Sequence, residues 1–254
     1  MPYLDRHLPF FIVIAILYIL IAYFGIPSLV RLSQLVFPPT HLPHYAVSAD
    51  GWSSDPVNIA IVAKNKRALM RAMRKSGWHV ADKITPRTFV KFIVATIFSQ
   101  SYPTAPFSKL YLLGRPQDIG FQIQSGTPPS PRHRHHVRFW LLTPTNRHDS
   151  VFWHGILRLF MRNQKQIWIG AATHDVNVFG LRKQNLQMTH RINADTNKER
   201  DFLVKSLTRS NFIRRKDIIP AGKPIAFKGQ TFGVDIVTDG TLTVIEVKNR
   251  LLLP

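Results

Sequence analysis

The chain contains no cysteine in 254 residues. Disulfides, thiolate metal sites and cysteine nucleophiles are thereby excluded, although a cysteine-free domain serves equally in oxidising and reducing compartments. Acidic residues are also scarce, with 14 Asp plus Glu facing 34 Lys plus Arg for a formal net charge of +20. A surface with that balance selects anionic partners, and nucleic acid, phospholipid head groups and phosphorylated metabolites all satisfy the same arithmetic. No zinc finger, RNP signature or recognisable helix-turn-helix accompanies the charge, so nucleic acid is disfavoured. No internal repeat is visible.

Charge of either sign is missing from Leu8 to Val30, LPFFIVIAILYILIAYFGIPSLV. An α-helix needs about 20 apolar residues to cross about 30 Å of hydrocarbon, and this run supplies them. A cleaved signal peptide is the rival, since Arg6 precedes the run. The run is long for that role, and Ala-Tyr-Phe-Gly is a poor cleavage site, which favours an uncleaved single-pass anchor over residues 1–33. Asp5 and Arg6 before the span and Arg31 after it nearly cancel, so the short flanks specify orientation weakly.

The rest of the chain is long enough, and at 45% hydrophobic over the whole sequence apolar enough, to build a core. Residues 34–55, rich in Pro, Ser and small side chains with no sustained period, read as a linker. PVNIAIVA (56–63) reads as a strand, and KNKRALMRAMRKSG (64–77) as a helix with Leu69, Met70 and Met73 inward and Gly77 as its C-cap. TPRTFVKFIVATIFSQ (85–100) begins with a Thr cap and Pro at the first helical position. At about a dozen apolar positions it is too short to span a bilayer, and a buried core helix is favoured over a helix lying on a membrane surface. Strands are read at 110–126, 135–142 and 167–176, a helix at 195–210 capped by Asp195, and a hairpin over 232–249 turning at Asp239-Gly240. Residues 143–166 read as an added amphipathic helix packed on the domain. Several strands, about three helices and no strict βαβ alternation give an α+β class with one mixed sheet behind an N-terminal transmembrane helix.

YPTAPFSKLYLLGRPQDIGFQ (102–122), RHHVRFW (134–140), WIGAATHD (168–175) and THRINADTNKERD (189–201) together resemble the LssY C-terminal domain family, across most of residues 56–210. The resemblance implies a bacterial envelope setting, because similar modules accompany DedA-type membrane proteins and type-2 phosphatidic acid phosphatase domains. It supplies no reaction. Where the family block runs close to T-H-H-I-D-P-D-I-D-x-E-R-D, this chain has Arg191, Asn193 and Asn197, and retains His190, Asp195, Glu199, Arg200 and Asp201. Residues 211–254 lie beyond the resemblance and read as a C-terminal β-hairpin extension of the same domain.

PRHRHHVRFW (131–140) concentrates the candidate chemistry. Read with a period of two, Arg132, Arg134, His136 and Arg138 share one face of a strand, and His133, His135, Val137 and Phe139 share the other. With Arg115 and Arg191, the first face offers forked donors suited to phosphate, so Arg115, Arg132, Arg134, His136, Arg138 and Arg191 are the anion-binding candidates. The ordinary alternative is a solvated basic strip on a strand whose other side enters the core. An acid-base site would draw on His135, His174 and Asp175, if the strands carrying them are neighbours. Adjacent histidines on a strand point apart and cannot chelate through one face, so no metal and no cofactor is assigned.

The expectation is a membrane-anchored envelope protein that binds an anionic, phosphate-bearing lipid or other envelope ligand. The alternative is a hydrolase or phosphotransfer enzyme acting on a lipid-linked phosphate. The expected partners are anionic membrane lipids and, secondarily, another envelope membrane protein. The expected place is the bacterial inner membrane, with a periplasmic domain slightly favoured.

Overall fold

The computed structural model describes residues 2–36, 44–112, 114–142, 165–181, 188–222, 225–228 and 235–249. Helix α1 (Pro2–Leu20) passes through a π-helical turn (Ile21–Gly25) into α2 (Ile26–Val36). Leu8–Val30 is long and apolar enough to cross a membrane, and almost all of its side chains are exposed. The helix touches the rest of the chain at Gly51, where a Cβ would come within 2.8 Å of Val30 Cγ1.

The domain is built on an eight-stranded mixed sheet. Its strands are β3 (Ile59–Ala63), β4 (His79–Val80), β7 (Ile119–Ser125), β8 (Ser130–Leu142), β9 (Gln166–Leu181), β10 (Met188–Ile192), β11 (Ile213–Pro220) and β14 (Thr241–Val247). They run in the order β11-β14-β3-β9-β8-β7-β4, with β10 also on β9. Among the described residues of this sheet only β14 and β3 pair in parallel, and every residue of β3 is buried. A central strand covered on both faces loses the polar alternation of a half-exposed one, which is why IAIVA is continuously apolar.

Helices α3 (Lys66–Lys75) and α5 (Thr196–Arg209) cover one face. Asn65 caps α3 by accepting the Ala68 N–H, and Leu69, Ala72 and Met73 turn inward. Leu203 and Leu207 of α5 meet Val137, Phe139, Trp168 and Ala172 in the larger core cluster. Gly170 on β9 faces Phe139 on β8, and a Cβ there would lie 2.6 Å from the Phe139 ring, so the cross-strand aromatic fits only over glycine. A second cluster lies under the other face, where Ala46, Leu110, Leu112 and Trp140 meet Ile167, Ile169 and Val244. Its cover is a small antiparallel sheet of β1 (Tyr45–Val47), β2 (Ser53–Pro56), β5 (Tyr111–Leu112) and β6 (Arg115–Pro116).

The α+β class with a mixed sheet behind an N-terminal apolar helix is what the sequence predicts, and three local expectations change. The second half of the expected linker, 34–55, carries β1 and nearly all of β2, which cover part of the core. The hairpin expected at Asp239-Gly240 is not one. β13 (Asp235–Thr238) pairs with β12 (Ile225–Lys228), whereas β14 enters the main sheet between β11 and β3. The C-terminal segment is therefore part of the sheet, and Asp239 clips Arg200 of α5 through Oδ1 and Oδ2 at 3.0 and 2.9 Å.

Helix α4 (Pro86–Ile97) is the third difference. Its Thr85 cap and Pro86 are as expected, but only Ala95 and Thr96 are buried. Phe89, Val90, Ile93, Val94, Ile97 and Phe98 lie 38–68% exposed. Propensity and capping specify a helix without saying which side finds a partner, and here only the narrow side of Phe92, Ala95 and Thr96 does. A further expectation, a helix within 143–166, falls almost wholly outside the described residues.

Candidate functional site

The site lies where β7, β8 and β9 run side by side. Their register aligns Gln124, Arg134 and Asp175 in one row, Ile123, His135 and His174 in the next, and Gln122, His136 and Thr173 in the third. Successive rows point to opposite faces, because side chains alternate along a strand. Two separate polar clusters result.

The first occupies the face that carries the arginines. That face is buried rather than solvent-facing: Arg134 is 0% exposed and Arg138 5%. The segment around Pro106 and Phe107 closes over it, with the Arg138 guanidinium 4.7 Å from the Phe107 ring centre. Arg134 Nε donates to Asp175 Oδ2 at 2.8 Å, and Arg138 Nη1 to Asp55 Oδ2 at 2.7 Å. Thr173 Oγ1 donates to Asp55 at 3.1 Å and sits 2.8 Å from His136 Nε2. Burial pushes His136 below the usual histidine range, and the Arg138 charge adds to that against the pull of Asp175, so the ring is neutral near pH 7. Burial alone would raise Asp55, but Arg138 and His136 outweigh it and hold the carboxyl below its ordinary value. Two guanidinium groups and two carboxylates thus neutralise one another inside the fold.

The remaining arginine candidates also have internal partners. Arg132 donates to the carbonyls of Thr96 and Ile97 at 2.8 and 3.0 Å, placing a cation at the C-terminal end of α4 where the helix dipole favours one. Arg115 bridges Asp118 at 2.9 Å and reaches the Leu141 carbonyl, while Asp118 accepts the Leu141 N–H, so this pair shapes the β6–β7 turn. The Arg191 side chain lies outside the described residues. The continuous outward-facing arginine strip expected from the period of two is therefore absent among the described residues, because both sides of β8 are covered.

The second cluster lies on the helix side of the sheet. The His135 and His174 rings stack at 4.2 Å, and Phe202 of α5 stacks on the other side of His135 at 4.0 Å. His135 Nδ1 meets Glu199 Oε2 at 2.6 Å. Glu199 is 3% exposed and begins the buried stripe Glu199-Leu203-Leu207, spaced at one helical turn. It enters from the first turn of α5, where the helix dipole favours a carboxylate. Burial pushes its pKa up against the opposing effect of His135. Burial and the neighbouring His135 lower His174 to about 4.

The acid-base group expected at His135, His174 and Asp175 is thus only partly assembled. β8 and β9 are neighbours and the two histidines meet, but Asp175 points to the opposite face and is held by Arg134. The carboxylate beside His135 is Glu199, which sequence reasoning did not single out. Its signal was a charged residue at the head of an otherwise apolar helical stripe.

The sequence pattern of a family described as LssY C-terminus matches the chain over residues 40–242. The chain belongs to this family. The match covers most of the molecule, including β1, β2, β11, β12 and β13, and ends at the start of β14. No curated protein and no solved structure matches the chain.

Proposed function

We propose that this LssY C-terminal domain is anchored by its N-terminal helix and lies on an anionic bilayer, with α4 as the element that enters the head-group region. The exposed apolar side of α4 carries this reading. Soluble domains rarely leave six large apolar side chains together in water, and such a patch marks an interaction surface. Lys83, Arg87 and Lys91 are exposed beside it, which gives the patch the basic margin of an interfacial helix.

Two further observations support the bilayer as the occupant. Leu8–Val30 supplies an apolar span in the same chain, and Gly51 rests against Val30 at its C-terminal end. Each basic residue brought near an anionic surface contributes roughly 1 kcal/mol of attraction, so the span gives permanence and α4 gives orientation. The phosphate-bearing ligand in this reading is the lipid head group, met by α4 and its flanking cations rather than by the buried arginines of β8.

The absence of cysteine makes the test direct. A nitroxide on Ile93→Cys, in the full chain reconstituted into nanodiscs with and without anionic lipid, reports immersion through its relative accessibility to oxygen and to a water-soluble nickel chelate. Asp201→Cys, on the exposed side of α5, is the control. The label at 93 should become oxygen-rich and chelate-poor in anionic discs while the label at 201 stays water-exposed. Equal chelate accessibility at both positions would remove the proposal.

A further inference from the structure

Three polar groups from three elements converge on the helix side of the sheet, and two of them leave a buried atom without a hydrogen-bond partner. One potential ligand atom from each of His135, His174 and Glu199 lies within 4.8 Å of the other two. His174 Nε2 and Glu199 Oε1 are buried and have no hydrogen-bond partner. Such orphaned atoms are uncommon in a native interior and call for a missing partner. Hydrophobic neighbours cannot supply one: Phe202 caps the cluster on one side, and Ile123 is the cross-strand neighbour of His135.

We propose that His135, His174 and Glu199 form a binding site for a single divalent first-row metal ion of the zinc class. Two imidazoles and one carboxylate are the donor set of open metal sites, in which three protein ligands leave a further position for water or substrate. The chain has no thiolate, so the site offers only nitrogen and oxygen donors, and metals that demand sulfur are excluded. Tetrahedral coordination at about 2.0–2.1 Å places donor atoms roughly 3.3 Å apart. The ligand atoms therefore need to close by about 1.5 Å at most, and the two imidazoles must turn out of their parallel stack so that their in-plane lone pairs meet at one point. The ligands come from two adjacent strands and the first turn of a helix, so the backbone scaffold is already fixed.

This assignment also answers the objection that adjacent histidines cannot chelate together. His135 and His136 do point to opposite faces, but the antiparallel register sets His174 opposite His135 on the same face. The second histidine comes from the neighbouring strand. The carboxylate comes from a residue 64 positions along the chain.

The site is tested on the untagged full chain in detergent micelles, stripped with a chelator and titrated with Zn2+ against a chromophoric competitor. Co2+ is a second probe, whose visible absorption reports four-coordinate nitrogen and oxygen ligation. One equivalent of Zn2+ should bind and should raise the melting temperature, since a ligand that binds only the folded state stabilises it. His174→Ala and Glu199→Gln should each weaken binding by more than the roughly 10–100-fold lost with an outer-shell partner. Glu199→Gln keeps a hydrogen-bonding group beside His135, so it separates loss of a ligand from loss of the fold. Near-UV circular dichroism of each stripped protein, matching wild type, certifies that the comparison is between folded chains. Wild-type protein that binds no Zn2+, or variants that bind it as tightly as wild type, would overturn the site. The outcome is independent of whether α4 enters a bilayer.

Discussion

Replacing Asp55 by Asn removes one negative charge from the interior without changing the shape of the side chain. Arg138 then keeps its guanidinium, 5% exposed and 2.7 Å from a neutral amide, with the Ser108 carbonyl at 3.3–3.4 Å as its nearest other acceptor. Removing one partner of a buried ion pair leaves the other uncompensated and costs about 3–5 kcal/mol. That is a large share of a domain stability of about 5–15 kcal/mol. At about 2–4 °C per kcal/mol for a domain of this size, the melting temperature should fall by about 6–20 °C. Thermal unfolding of the full chain in detergent, followed by near-UV circular dichroism, measures it. Asp55→Asn/Arg138→Met should cost less than the sum of the two single changes, because the double variant leaves no unpaired charge. The pH dependence comes from the direction of the Asp55 shift. A carboxyl whose folded pKa lies below its unfolded value stabilises the fold above the unfolded value, about 3.9, and that contribution is lost as pH falls through the folded pKa. Wild type should therefore lose stability below about pH 4 more steeply than Asp55→Asn. A loss under about 1 kcal/mol for Asp55→Asn, or strict additivity in the double variant, would refute the view that this pair is a desolvated, mutually dependent unit.

Two further substitutions probe the scaffold that holds both clusters. Gly170→Ala places a Cβ 2.6 Å from the Phe139 ring and 2.9 Å from Ile59, so overpacking should cost about 1–3 kcal/mol in denaturant unfolding. Phe139→Leu in the same chain should restore part of it, and an unchanged midpoint for Gly170→Ala alone would show that the sheet relaxes freely there. Asn65→Ala removes the side-chain acceptor at the start of α3 and should cost about 0.5–2 kcal/mol, with Asn65→Asp close to wild type. Equal losses for Ala and Asp would assign the effect to something other than the cap.

Local chemistry written into the sequence is largely what the structure shows. The charge-free run Leu8–Val30, the Thr85 and Asp195 caps, and the strands within 110–126 and 167–176 depend on neighbours a few residues away. The alternation of Arg134, His136 and Arg138 with His135 and Val137 was legible for the same reason. The cover over each face was not. A period of two sorts side chains into two sets but does not say that residues 102–110 close over one of them, and that closure turns a basic strip into an internal ion-pair network. Likewise, the apolar positions of α4 are those of a core helix, and only the packing shows that most of them face outward. The meeting of His135, His174 and Glu199 depends on the antiparallel register of β8 and β9 and on the azimuth of α5 above them. The sequence by itself determined the apolar span, helices α3, α4 and α5, the longer strands of the main sheet and the inventory of polar groups, because these arise from local periodicity and capping. Tertiary structure alone decided which charges cancel, which apolar side is left open and which three donors share one point, because those depend on contacts between residues far apart in the chain.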